Sequence, residues 1–154
     1  MKLSEFVEPD LIVTDVEAGD VEDVLRQLLV PLAERGGAQD PDRVLKALLA
    51  REKVLSTGIG QGIAVPHAVC DAVVDPSLIV GLSPGGVDFH SMDEAPVHVF
   101  FVLLSPPDRA GHHIRLLARI ARLSRHPEFV TSLRASAGAD EVVARIRDYE
   151  RDHV

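Results

Sequence analysis

The chain has 154 residues, enough for one domain, and its 4% aromatic content without tryptophan demands an aliphatic core. Sixteen basic against twenty-four acidic side chains leave a formal charge of −8, which excludes a broadly basic nucleic-acid-binding surface but not a local basic patch. The single cysteine, Cys70, excludes an internal disulfide and offers no repeated metal-ligand spacing.

The opening run Met1-Lys2-Leu3-Ser4-Glu5-Phe6 turns acidic before any apolar stretch develops, so it does not read as a signal peptide. Leu11-Ile12-Val13 is a short strand candidate. Asp20 has the character of an N-cap, and Val21, Val24, Leu25, Leu28, Leu29 and Leu32 follow at helical spacing until Gly36-Gly37. Asp40-Pro41 starts a second helix, a capping residue followed by proline at the first helical position. That helix carries Val44, Leu45, Leu48 and Leu49 and runs into Arg51-Glu52.

Residues 57–62 are punctuated by Gly58, Gly60 and Gly62 and cannot form a regular helix. They lead into Ile63-Ala64-Val65, a short strand stopped by Pro66. Leu78-Ile79-Val80-Gly81-Leu82 reads as a buried strand closed by Pro84-Gly85-Gly86. Residues 97–104 form a stronger strand, ended by Pro106-Pro107, and their near-continuous hydrophobicity predicts cover on both faces. Interrupted by His98, that stretch is too short to cross a bilayer.

From Arg109 the helical period returns with Ile114, Leu117, Ile120 and Ala121. Pro127 restarts a short helix through Leu133, and residues 139–150 form the last, with Val142, Val143 and Ile146 inward. Helices precede, interrupt and follow the strands. This predicts an α/β fold, a single-domain sandwich over residues 1–154 with a small mixed β-sheet flanked by α-helices. Strand directions are not readable from periodicity.

The chemistry concentrates in Ser56-Thr57-Gly58-Ile59-Gly60-Gln61-Gly62-Ile63-Ala64-Val65-Pro66-His67. Alternating glycines can turn several peptide N–H groups towards one anion, with hydroxyls from Ser56 and Thr57 beside them. A tight β-connection explains the same glycines equally well. No Lys-Ser/Thr pair follows, so this is not a nucleotide P-loop. His67 adds an imidazole that is nucleophilic when neutral.

This stretch, with Arg51-Glu52 before it, resembles the signature of the fructose/mannitol-type (type 2) enzyme IIA of the phosphoenolpyruvate-dependent phosphotransferase system. The nitrogen-regulatory enzyme IIA branch shares it. Val65 stands where isoleucine is usual. The resemblance extends from near residue 3 to near residue 150. It implies a phosphotransferase component in which His67 accepts a phosphoryl group from the histidine phosphocarrier protein. His67 then passes it to a cysteine of a sugar-specific enzyme IIB on a separate chain. In the regulatory branch, phosphorylation instead controls contacts with regulatory target proteins. By the same resemblance Arg51 assists the phosphoryl group and His113, in His113-Ile114-Arg115-Leu116-Leu117, is the second active-site histidine. His112 is the rival in registration, about 100° around the helix.

For Arg51 the plain alternative is a helix C-terminal arginine favoured by the helix dipole. Ser56, Thr57, Gly58, Gly60 and Gly62 are the expected phosphoryl-binding residues. No cofactor and no metal is implied, because His67 and Cys70 are half a zinc site at most. Asp93 reads as a turn residue, and His90, His98, His126 and His153 as bystanders. Arg115, Arg119 and Arg122 form a stripe, with Arg125 nearby, that is either a solvated helix face or a docking surface for an acidic partner. The expected setting is cytoplasmic, with no nucleic-acid partner and no membrane insertion.

Overall fold

The computed structural model describes residues 2–153, so Met1 and Val154, the two ends of the expected domain, lie outside the described residues. The chain forms β1 (Ile12–Val13), α1 (Val21–Glu34), α2 (Pro41–Val54), β2 (Gly58–Gly60), β3 (Ile63–Ala64) and β4 (His67–Val69). It continues through β5 (Ser77–Val87), β6 (Val97–Ser105), α3 (Ala110–Ser124), α4 (Pro127–Arg134) and α5 (Ala139–His153). The sheet order is β1-β5-β6-β3-β2, with β4 also paired to β6. The sheet is mixed: β1 lies parallel to β5, β5 antiparallel to β6, and β3 and β4 parallel to β6. The α/β sandwich expected from the sequence is therefore present.

Local signals place the first two helices. The Asp20 side chain accepts from Asp23 N at 2.8 Å, and Asp40 accepts from Arg43 N at 3.2 Å, so each helix start has a capped donor. Gly36, at φ +77°, ends α1 while Gly36 N and Gly37 N bond back to Ala33 O and Leu32 O. This paired return is a Schellman motif, and its left-handed residue favours glycine.

Alternation along β6 builds the two cores. Phe100, Val102 and Leu104 face Val24, Leu25, Leu28, Val44 and Leu48 of α1 and α2. Val99, Phe101 and Leu103 face Leu116, Ile120, Phe129, Leu133 and Ile146 of α3, α4 and α5. A strand buried on both faces reads as an unbroken apolar run, as residues 97–104 do.

At two prolines the sheet pairing extends beyond the sequence reading. β3 stops at Ala64, before Pro66, but pairing with β6 resumes at His67 in β4. Ile63 pairs with Val99, and His67 with Leu103, so the offset to β6 is the same on both sides of the proline. Pro66 only lacks an N–H for the ladder, while its carbonyl still accepts from Leu103 N at 2.9 Å. β5 runs through Pro84-Gly85-Gly86 to Val87, with a register shift after Leu82. Beyond Leu82 the paired residues of β5 are to β6 only, and such a one-sided segment tolerates a proline.

The ends of the chain are tied together by Glu150 on α5. Its buried carboxylate accepts from Leu3 N at 2.6 Å and Ser4 N at 3.0 Å, with Arg119 Nε 3.8 Å away. Glu150→Ala would leave two peptide donors, one buried and one partly buried, without this acceptor. A loss of about 2 kcal/mol is expected, measured by urea denaturation, and unchanged stability would show that the N-terminal turn relaxes freely.

Candidate functional site

Three elements converge on His67. β4 carries it on the face covered by α3, because its register partner Leu103 belongs to that side of the sheet. α3 brings His113, and the last turn of α2 brings Arg51. The rings of His67 and His113 are 5.8 Å apart between centroids, inclined at 49°. Arg51 Nε lies 3.3 Å from His67 Nε2, and its Nη1 donates to Leu55 O at 2.8 Å, which holds the guanidinium in place.

The tautomer of His67 follows from its other nitrogen. Nδ1 is 2.8 Å from the carbonyl oxygen of Val65, which can only accept. Nδ1 therefore carries the proton in the neutral ring, and the lone pair sits on Nε2, facing Arg51. Pro66 fixes φ between donor and acceptor and so holds the Val65 carbonyl beside the ring.

His113 is 5% exposed and its Nδ1 is 2.8 Å from Ser105 Oγ. Burial pushes its pKa down to about 4, with a further lowering from the nearby His67. It is neutral near pH 7. His112 is half-exposed instead, so helical phase settles the choice in favour of His113 as the ring beside His67.

The glycine segment does not form an open anion cradle around His67. Gly58–Gly60 is a strand, paired antiparallel with Ile63–Ala64. Gln61 (φ +59°) and Gly62 (φ +83°) make the turn, both at positive φ as a type I′ hairpin requires. Gly60 pairs with Ile63, four residues before His67, which puts it about 13 Å from the histidine along the strand. Gly62 lies at that same far end. Nearer to His67, the donors are already engaged. Thr57 N and Oγ1 both donate to the Glu52 carboxylate, Ser56 Oγ donates to Phe89 O, and Gly58 N donates to Ser56 Oγ. Gly58 is small for a packing reason, since a Cβ there would meet Ser91 Oγ at 2.3 Å. Asp93 accepts from Gln61 N and Ala95 N and ties this hairpin to the loop before β6. Those two peptide bonds, Gln61 first, hold its carboxyl below the usual range.

A family model described as "Phosphoenolpyruvate-dependent sugar phosphotransferase system, EIIA 2" matches residues 5–149. The chain belongs to this EIIA 2 family. It is 33% identical to a "Nitrogen regulatory protein" of Bradyrhizobium diazoefficiens over 92% of each chain. It is 30% identical to the "PTS system fructose-specific EIIABC component" of Bacillus subtilis over 98% of its own length, but it spans only 24% of that protein. Among solved structures, the nitrogen regulatory protein IIA-Ntr of Neisseria meningitidis superposes with a TM-score of 0.86 at 30% identity, covering 94% of this chain and 98% of that one.

Around His67 the surface is mixed. Leu55, Val69 and Ile114, each within four residues of Arg51, His67 or His113, are 59%, 44% and 68% exposed. α3 carries no acidic residue. Arg115 and Arg122 are exposed on it, whereas Arg119 is half-buried and turned to Glu150, so the basic stripe loses its middle member to a structural contact. His126 and His153 pack on Tyr149, and His98 Nδ1 bonds to Ser83 O, so these three stand in other contacts. Among the described residues no group of three or more His, Cys, Asp or Glu side chains is placed to hold a metal. Nor is any helix among them long and apolar enough to cross a membrane.

Ser105 and the Val65 carbonyl escaped the sequence reading. Ser105 sits at a strand end before two prolines, and nothing in that position marks it. The only available signal for the carbonyl was the spacing of two residues between Val65 and His67 across Pro66.

Proposed function

We propose that His67 Nε2 is the phosphoryl acceptor of this protein. The supporting observation is the His67 ring whose Nδ1 is engaged by the Val65 carbonyl and whose Nε2 meets a fixed guanidinium, with a second imidazole 5.8 Å away between ring centroids. The donor is a phosphohistidine of the histidine phosphocarrier protein. Its P–N bond breaks as a P–N bond to His67 Nε2 forms, and the donor imidazole leaves with its electron pair. Arg51 gives up its contact with Nε2 and compensates charge on the equatorial oxygens, a task for which fixed donors are suited. His113 adds a hydrogen bond from the other side. The group then passes to a cysteine thiolate of an enzyme IIB, with His67 as leaving group. The fused name of the Bacillus subtilis relative supports that order of components.

A second destination is favoured by the match over 92% of the nitrogen regulatory relative. There, phosphorylation at His67 would change contacts with regulatory targets through its added charge of roughly −1.5 to −2. Incubation with phosphoenolpyruvate, enzyme I and the phosphocarrier protein tests the shared step, and the expected product is acid-labile phosphate on this chain. Transfer of that label to an enzyme IIB cysteine supports the sugar route. Phosphorylation-dependent capture of a target without such transfer supports regulation.

The exposed Arg115 and Arg122 beside this site make α3 the face for an acidic partner. A double Arg115→Glu, Arg122→Glu variant should slow association about tenfold at low salt, and wild-type binding should weaken as salt rises. Salt-insensitive association with the charge-reversed variant at full rate would remove that role.

A further inference from the structure

We propose that Ser105 is a positioning residue that sets the tautomer of His113, so that His113 presents Nε2–H rather than a lone pair to the phosphoryl group. This rests on the reading of His67 as phosphoryl acceptor.

Ser105 ends β6, pairs with Val69 two residues beyond His67, and is 0% exposed. The alternation that puts Leu103 under α3 puts the Ser105 side chain on the same side. Its Oγ is 2.8 Å from His113 Nδ1, and among the described residues this is the hydroxyl's only hydrogen-bond contact. A hydroxyl can donate or accept, so the distance alone does not assign the proton. Burial does. If Nδ1 carried the proton, the Ser105 O–H would be a fully buried donor with no acceptor, an arrangement folded proteins avoid. If Ser105 donates to Nδ1, both groups are satisfied and the imidazole proton is on Nε2.

The consequence for transfer is one of sign. An Nε2 lone pair beside His67 would repel anionic oxygens arriving there, whereas Nε2–H donates to them. Because His113 is buried and held neutral, it cannot offer both nitrogens as donors at physiological pH. A single hydroxyl behind the ring therefore decides whether the second histidine helps or opposes the incoming group. The Val65 carbonyl does the converse at His67, holding the proton on Nδ1 so that Nε2 is bare. The two rings are thus set in opposite tautomers, one as nucleophile and one as donor.

The test begins with ring nitrogen NMR of the unphosphorylated protein. His113 should show an unprotonated Nδ1 and a protonated Nε2 in wild type, and a mixture of tautomers in Ser105→Ala. The rate of labelling by the phosphocarrier should fall about tenfold in Ser105→Ala at saturating donor with KM unchanged, the worth of one oriented hydrogen bond. Ser105→Thr, which keeps the hydroxyl, should restore both signals. In a His113→Gln background, Ser105→Ala should cost nothing further. A protonated Nδ1 in wild type, or a full rate in Ser105→Ala, overturns the proposal, as does an undiminished Ser105→Ala effect without His113. If the tautomers are as stated but His67 takes no phosphate, the acceptor reading fails and the assignment of the His113 proton stands.

Discussion

His67→Ala is expected to fold normally and to take up no acid-labile phosphate from phosphoenolpyruvate, enzyme I and the phosphocarrier protein. The loss should be complete, because the substitution removes the atom that forms the P–N bond rather than a group that assists it. His113 cannot take over. It is 5% exposed, its Nδ1 is engaged with Ser105, and its neutral ring then carries the proton on Nε2. His67→Gln should be equally inactive, since an amide keeps polarity but offers no nucleophilic ring nitrogen. The measurement is label per chain after acid and alkaline treatment, with circular dichroism as the check on folding. Full labelling of His67→Ala would place the acceptor at another residue.

Acid should destabilise the protein through His113. The folded-state pKa is pushed down to about 4 from 6.5, mainly by burial, so the unfolded chain binds this proton first as pH falls. Above pH 6.5 the ring is neutral in both states and contributes no pH dependence. Between pH 6.5 and about 4 stability declines, at about 1.4 kcal/mol per unit for a fully formed difference. The total is up to about 3 kcal/mol, a large part of the stability of a domain this size. Urea denaturation at a series of pH values should show this decline in wild type. His113→Gln should lack that component while keeping whatever the other groups contribute. Parallel curves for the two proteins would mean that His113 is not held neutral by its surroundings.

Helix starts and ends were readable because they depend on neighbours in sequence. Asp20 and Asp40 cap as their positions imply, and Gly36-Gly37 closes α1 through bonds to the preceding turn. The both-faces burial of β6 was readable for a similar reason, since its composition records its surroundings. Limits that depend on a partner strand were not. Pro66 interrupts the strand as its sequence implies, but only β6 shows that pairing resumes beyond it in the same register. Gly58, Gly60 and Gly62 read equally as an anion cradle or a tight β-connection, and the second holds: they answer to Ser91 beside Gly58 and a hairpin turn at the other end.

The sequence by itself determined the EIIA 2 family and the α/β class, and it named His67, Arg51 and His113 as candidates. The motif is local, and helical phase favours His113 over His112. Only the tertiary structure decided which nitrogen of His67 is free, that Arg51 faces it, and that Ser105 stands behind His113. Protonation sites depend on hydrogen-bond partners: the Val65 carbonyl is two positions from His67, but Arg51 and Ser105 come from 16 and 8 positions away from the rings they meet. No spacing rule brings such partners together; the packing of α2 and α3 on either side of one sheet does.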